Sequence, residues 1–177
     1  FLSWCVRSGR LDFNRLRGVG SPYERRESQR LWKPQEQTLV TENAPPHLSL
    51  LFRIGLFTGL RLGDLIRLPE SSIRGAHILI PTAKSRGQNI AIIPLIPEWQ
   101  ALIDEALAYK REFPMLATTI LVNSRGRPWT ASGAATSFDR LRAKVGLGPH
   151  QNGPTIHDFR KTAATQVLIT QKQYPDA

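Results

Sequence analysis

The chain has 177 residues, of which 41% are apolar and 21% charged, a composition typical of a globular protein rather than a disordered or fibrous one. Lysine and arginine number 24 against 14 acidic residues, which gives a formal charge of +10 and a pI near 10.6. This charge favours a polyanionic partner such as nucleic acid, although basic proteins without such a partner carry similar charges.

Cysteine usage and hydropathy bear on where the protein works. The single cysteine, Cys5, cannot form an internal disulfide or a cysteine metal cluster, which suits a reducing compartment. No apolar run approaches the roughly 18 residues needed to cross a bilayer, and the first residues lack the apolar region of a secretory signal. We therefore expect a cytoplasmic protein with no membrane association.

The N-terminal region has the composition of a helix end followed by a linker. Residues 1–8 predict the end of a helix that stops at Gly9, and residues 12–30 are rich in Arg, Gly, Ser and Pro. We expect residues 1–31 to be the end of a preceding domain with a basic linker. The main domain then covers residues 32–177 and begins near Trp32.

The first long apolar pattern follows a predicted loop at residues 41–46. Apolar side chains recur at helical spacing from Leu48 to Leu56, which predicts a helix with one face in the core. The pattern breaks at Gly59, and a second helical run covers residues 62–68. Arg61 therefore lies where two helices meet, and we expect its guanidinium to be partly enclosed there.

A hairpin and a further helix come next. The β-rich runs at residues 77–82 and 89–95 flank a polar stretch, from which Lys84 and Arg86 would project as part of the hairpin loop. Pro97 then opens a helix whose apolar stripe faces the core.

The last part of the chain alternates short elements with turns. It predicts a strand at residues 119–123, a turn at 124–128 that carries Arg125 and Arg127, and helices at 131–145 and 156–169. Residues 171–177 are predicted to form a polar tail. Together the elements predict an α+β fold that is mainly α-helical, with a small antiparallel β-sheet.

Two short motifs carry the side chains best suited to chemistry. His157 and Arg160 lie three apart, which would place an imidazole and a guanidinium on one helical face, and the small residues 162–165 that follow allow close approach. The planar, permanently charged guanidinium of Arg61 suits two oxygens of a phosphate. Each motif alone also fits a structural role, as a surface pair on an amphipathic helix or as an arginine held by Asp64.

The order of the motifs resembles the tyrosine recombinase (phage integrase) family. T-G-L-R-x-G-D at residues 58–64 comes first, then a hairpin lysine, then H-D-F-R-K-T-A-A-T at residues 157–165. The resemblance covers roughly residues 32–169, and residues 1–30 are similar to the end of the family's core-binding domain and its linker. It implies the helical catalytic domain of DNA breaking-rejoining enzymes.

The resemblance implies metal-free, cofactor-free cleavage of duplex DNA. In that reaction a tyrosine attacks the phosphate and leaves a 3′-phosphotyrosyl bond and a free 5′-hydroxyl. Arg61 and Arg160 match the family's two arginines, His157 its first histidine, and Lys84 its hairpin lysine. Asp64 stands where the family usually has Glu, and we expect it to support Arg61.

The same resemblance implies further contacts and an assembly. We expect Arg86, Arg125, Arg127 and Lys161 to contact nucleic acid, with Lys161 standing where the family often has His. The full-length protein, encoded by a mobile element, is expected to act as a tetramer on two DNA sites. The second His or Trp of the family and its nucleophile have no counterpart here, and we do not expect Tyr174 to be the nucleophile.

Two other functions remain open from the sequence. A type IB topoisomerase uses similar Arg, Lys, His and Tyr groups, although the basic linker and the T-G-L-R motif favour the recombinase. A DNA-binding protein that kept the fold without catalysis would also carry the same charge.

Overall fold

The computed structural model describes residues 1–19, 30–81, 90–114 and 117–173. The helices are α1 (Leu2–Arg7), α2 (Pro34–Asn43), α3 (Pro46–Thr58), α4 (Leu62–Leu65), α5 (Pro97–Arg111), α6 (Ala131–Lys144) and α7 (Asp158–Gln173). Strands β1 (Ile73–Arg74), β2 (His77–Pro81) and β3 (Ile90–Pro94) form an antiparallel sheet in that order. The predicted class, mainly helical with a small antiparallel sheet, is confirmed.

Helix α3 is the centre of the core and packs against α5 and α7. It is buried around most of its circumference rather than on the one predicted face, because other helices enclose it, and Leu51 and Ile54 are completely buried. Gly55 gives α7 room to approach: a Cβ at this position would lie only 2.5 Å from Cδ2 of Phe159. The start of α7 is therefore packed directly onto α3.

An aromatic cluster connects four segments of the chain. The Trp32 and Phe52 ring centroids are 4.8 Å apart, and Phe159 lies 5.3 Å from both Phe52 and Phe138. Three of these ring pairs have the edge-to-face geometry that aromatic side chains prefer. The cluster joins the segment before α2 to helices α3, α6 and α7.

The sheet has a buried strand and an exposed edge. Ile78 and Ile80 of β2 are buried, whereas Ile90 and Ile92 on the outer strand β3 are exposed. Both predicted β-rich runs form strands, paired with Ile78 opposite Ile93. Strand β1 was not predicted, because two residues are too short for an alternating pattern.

Two predicted boundaries in the first half were wrong. The predicted loop at 41–46 shrinks to two residues between α2 and α3, because proline fits the first turn of a helix and Pro46 opens α3. The predicted helix at 62–68 ends at Leu65. Leu68 precedes Pro69, and a residue before proline is disfavoured in helical geometry.

Two more predicted elements differ in the second half of the chain. Residues 119–123 form isolated bridges, Pro69 with Thr119 and Val122 with Pro128, instead of a regular strand. Helix α7 continues to Gln173 rather than ending at residue 169, because the polar Gln and Lys residues of the predicted tail are good helix formers.

None of the helices in the described ranges is long and apolar enough to cross a membrane.

Candidate active site

The turn after α3 positions the first arginine. Gly59 ends the helix in the left-handed conformation (φ 58°), and its N–H donates to the Gly55 carbonyl at 3.0 Å. The Thr58 hydroxyl donates to the Ile54 carbonyl at 2.8 Å. These contacts close the helix end, and the chain then leads into Arg61.

Arg61 is the N-cap residue of α4, with an extended backbone. Its carbonyl accepts the first hydrogen bonds of that helix, from the N–H groups of Asp64 and Leu65, both at 2.9 Å. Its position between two helices is confirmed, but the predicted enclosure is wrong because the side chain is exposed. Asp64 is buried at 8% exposure, on the inner side of α4.

His157 and Arg160 are presented differently from the predicted shared helical face. Helix α7 begins at Asp158, so His157 lies in the preceding turn and only Arg160 is helical. The turn is closed by Asp158, whose Oδ2 accepts hydrogen bonds from the Thr155 N–H at 2.7 Å and hydroxyl at 2.8 Å. Asp158 and Phe159 are buried, whereas His157 and Arg160 are exposed.

One hydrogen bond joins the two predicted motifs. Nη1 of Arg160 donates to the Gly59 carbonyl at 3.2 Å, across 101 positions of sequence. Two residues of chain span at most about 7 Å, so the Arg61 backbone lies within that distance of Gly59. The structure thus brings the Arg61 backbone near the α3–α7 junction at which the exposed Arg160 is anchored.

The small residues after Arg160 serve close packing, as predicted. A Cβ at Gly59 would lie 2.9 Å from the Cβ of Ala163. Beside this contact runs an open groove of about 440 Å³, lined by Phe57, Thr58, Gly59, Arg160, Ala163, Ala164 and Val167. The groove adjoins the exposed Arg160 and is mostly apolar.

Helix α6 supports the chain that leads into the His157 turn. The Arg142 side chain is almost completely buried, and its Nη1 donates to the carbonyls of Pro154 at 2.7 Å and Gly153 at 3.2 Å. Its Nη2 binds Asp139 at 2.7 Å. Sequence reasoning missed this residue, because an arginine in an amphipathic helix gives no local sign of burial.

The structure describes only some of the other predicted site residues. Lys84 and Arg86 fall outside the described residues. Lys161 follows Arg160 in the first turn of α7 and is exposed, as are Arg125 and Arg127 in the turn after residue 123.

The arginine turn has a defined shape. The Asn123 side-chain oxygen accepts hydrogen bonds from the N–H groups of Arg125 at 2.8 Å and Arg127 at 3.3 Å. Gly126 has φ 70°, and a Cβ there would lie 2.3 Å from Phe113. Within the described ranges, no three His, Cys, Asp or Glu side chains are grouped as metal ligands.

Comparison with known protein families shows which family the chain belongs to. The sequence model described as the phage integrase family matches residues 27–175. The chain belongs to the phage integrase family. The matched region contains both motifs that resemble the tyrosine recombinase catalytic domain.

The chain is similar to a well-defined phage relative. It is 29% identical to the integrase of Escherichia phage lambda over 140 residues, which cover 77% of this chain. The match spans 38% of the length of that integrase.

Solved integrase structures share the fold. The lambda integrase catalytic core aligns with a TM-score of 0.67 at 22% identity, over 82% of this chain and 85% of that one. A lambda integrase tetramer bound to a Holliday junction aligns with a TM-score of 0.76 at 20% identity, over 98% of this chain and 52% of that one.

Proposed function

We propose that the full-length protein containing this chain is a site-specific DNA recombinase that cuts and rejoins strands through a 3′-phosphotyrosyl intermediate. Residues 32–177 would be part of its catalytic domain, and residues 1–31 the end of the core-binding domain with its linker. The observation that carries this proposal is the hydrogen bond between Arg160 and the Gly59 carbonyl. This bond joins the two segments that carry the proposed catalytic residues Arg61, His157 and Arg160.

The two arginines suit the charge of a phosphoryl transition state. Attack on a phosphodiester concentrates negative charge on the non-bridging oxygens. Arg61 and Arg160, carried by segments that touch, can each donate two N–H groups to those oxygens. A fixed donor that meets charge as it develops lowers the barrier without reorganising during the reaction.

The remaining steps are proton transfers. The attacking tyrosine oxygen forms a bond to phosphorus while the bond to the 5′ oxygen breaks. His157 would assist the nucleophile by taking the tyrosine proton, and Lys84 would protonate the departing 5′ oxygen. The phosphotyrosyl ester keeps the free energy of the broken bond, so rejoining needs no ATP.

We propose that Tyr174 is not the nucleophile. Tyr174 lies outside the described residues, and in the sequence it comes directly after Gln173, where α7 ends after an unbroken run from Asp158. At 1.5 Å per residue, Gln173 lies about 20 Å along the helix axis from Arg160. Tyr174 would have to return over that distance to reach a phosphate bound at Arg160.

We propose duplex DNA as the partner and a tetramer on two DNA sites as the active assembly. Support comes from the formal charge of +10 and from the shared fold of the lambda integrase tetramer on a Holliday junction. Lys161, Arg86, Arg125 and Arg127 would bind phosphates around the cleavage site.

The proposed function predicts a covalent adduct on a nicked suicide substrate. The full-length protein should form a denaturation-resistant protein–DNA band, and Tyr174→Phe should leave the band intact. The 177-residue chain alone should form none. A band formed by this chain and lost on Tyr174→Phe would refute the proposal that Tyr174 is not the nucleophile. Strand exchange between paired sites would separate a recombinase from a topoisomerase that only nicks and reseals.

Arg125 and Arg127 should each contribute to the salt dependence of DNA binding. A residue that neutralises one phosphate adds about −0.9 to the slope of log affinity against log salt. Arg125→Ala and Arg127→Ala should therefore each flatten the slope by about 0.9 in binding titrations. The control is Arg53→Ala, since Arg53 is paired with Glu105 on the protein surface at 2.7 Å. Equal slopes for all three variants would show that the turn carrying Arg125 and Arg127 does not contact DNA.

A further inference from the structure

Trp32 makes two hydrogen bonds to the segment that carries His157 and Arg160. It lies just before α2 and is only 2% exposed. Its main-chain N–H donates to the Thr162 hydroxyl at 3.0 Å, and its indole N–H donates to the Thr155 carbonyl at 3.1 Å. The two acceptors flank His157 on either side in the sequence.

These bonds complete a closed network around the His157 turn. The Asp158 carboxylate holds the N–H and the hydroxyl of Thr155. The Thr162 hydroxyl, which accepts from Trp32, donates to the Asp158 carbonyl at 2.9 Å. The N–H, the hydroxyl and the carbonyl of Thr155, two residues before His157, thus each take part in a hydrogen bond. The peptide backbone that aims the imidazole is therefore held from the side of Trp32.

The other buried tryptophans show that this bonding is particular to Trp32. Trp99 and Trp129 are also buried, but their indole N–H groups find no acceptor among the described residues. Within the described residues, those rings make packing contacts, such as Trp99 with Phe57 and Trp129 with His47. The Trp32 ring contributes volume to the aromatic cluster and, in addition, a directed contact to the turn.

We propose that Trp32 is a positioning residue for His157, acting through Thr155 and Thr162. The inference rests on the proposed cleavage function. Catalytic groups lose much of their effect when displaced by about 1 Å, a change that costs on the order of 100-fold in rate. Loss of the indole contact frees the turn to shift while Arg160, anchored on Gly59, stays in place.

The test compares two chemically identical substitutions in the full-length protein. Trp32→Phe should slow single-turnover cleavage of a suicide substrate by about 10–100-fold with unchanged DNA affinity. Trp99→Phe removes the same ring volume and an unpaired N–H, and should cleave at the wild-type rate. Equal cleavage rates for the two variants would overturn the inference. A wild-type protein that forms no adduct would instead refute the proposed function.

A double-mutant cycle distinguishes positioning from general destabilisation. If Trp32 acts through His157, Trp32→Phe should reduce the cleavage rate only slightly in a protein that already carries His157→Ala. The imidazole that Trp32 positions is then absent. Rate losses that multiply would overturn the proposal.

A second pair of variants serves if Trp32→Phe does not fold. Thr162→Ser keeps the hydroxyl that links Trp32 to Asp158 and should cleave at the wild-type rate, whereas Thr162→Val removes the acceptor of the Trp32 main-chain N–H and should slow cleavage by about 10–100-fold. Equal cleavage by the serine and valine variants would overturn the proposal independently.

Discussion

Arg160→Ala in the full-length protein should slow strand cleavage by about 100–1000-fold, the loss seen when one fixed transition-state donor is removed. DNA binding should remain largely intact, because the contact strengthens as the transition state forms. Arg61→Ala should have the same effect, since Arg61 is exposed at the same junction. Single-turnover cleavage together with binding titrations measures both quantities.

Lysine variants and a surface control sharpen this prediction. Arg160→Lys keeps the charge but loses the planar fork that binds two oxygens, so it should recover little activity. Arg53→Ala removes an exposed arginine that is paired with Glu105 and should cleave normally. Substantial cleavage by Arg160→Lys would show that charge alone matters there. Wild-type cleavage by either alanine variant at Arg61 or Arg160 would refute their assignment.

Gly59→Ala should destabilise the protein by about 2–5 kcal/mol, the sum of two separate costs. The left-handed backbone at φ 58° costs roughly 1–2 kcal/mol for a residue with a Cβ. The new Cβ would also lie 2.9 Å from Ala163, and overpacking of this kind costs about 1–3 kcal/mol. Urea denaturation of both proteins would measure the difference in unfolding free energy.

Gly75→Ala is the matched control for this substitution. Gly75 has φ 56°, close to that of Gly59, but no atom lies within 4 Å of an added Cβ. It should therefore cost only the backbone term, about 1–2 kcal/mol. Equal losses at the two glycines would show that an added Cβ at Gly59 meets no steric cost at the contact between α3 and α7.

Much of the fold can be predicted from local patterns. The apolar residues of α3, α5 and α6 recur at helical spacing, and the two main strands are rich in residues that favour β-structure. Some errors lie at element ends, such as those of α4 and α7, where a proline or a polar stretch outweighs periodicity, and the predicted strand at residues 119–123 forms only isolated bridges. The motifs at residues 58–64 and 157–165 were also identifiable, because their residue types and order resemble a family.

The sequence by itself therefore determined the fold class, the family resemblance and the two motifs of the candidate site. The tertiary structure alone decided how those motifs meet, through the bond from Arg160 to Gly59 across 101 positions. It also decided that Trp32 holds the His157 turn, through contacts across 123 and 130 positions. Periodicity reports only which face of a segment is buried. Contacts between distant segments depend on how several helices pack together, and no local pattern specifies that arrangement.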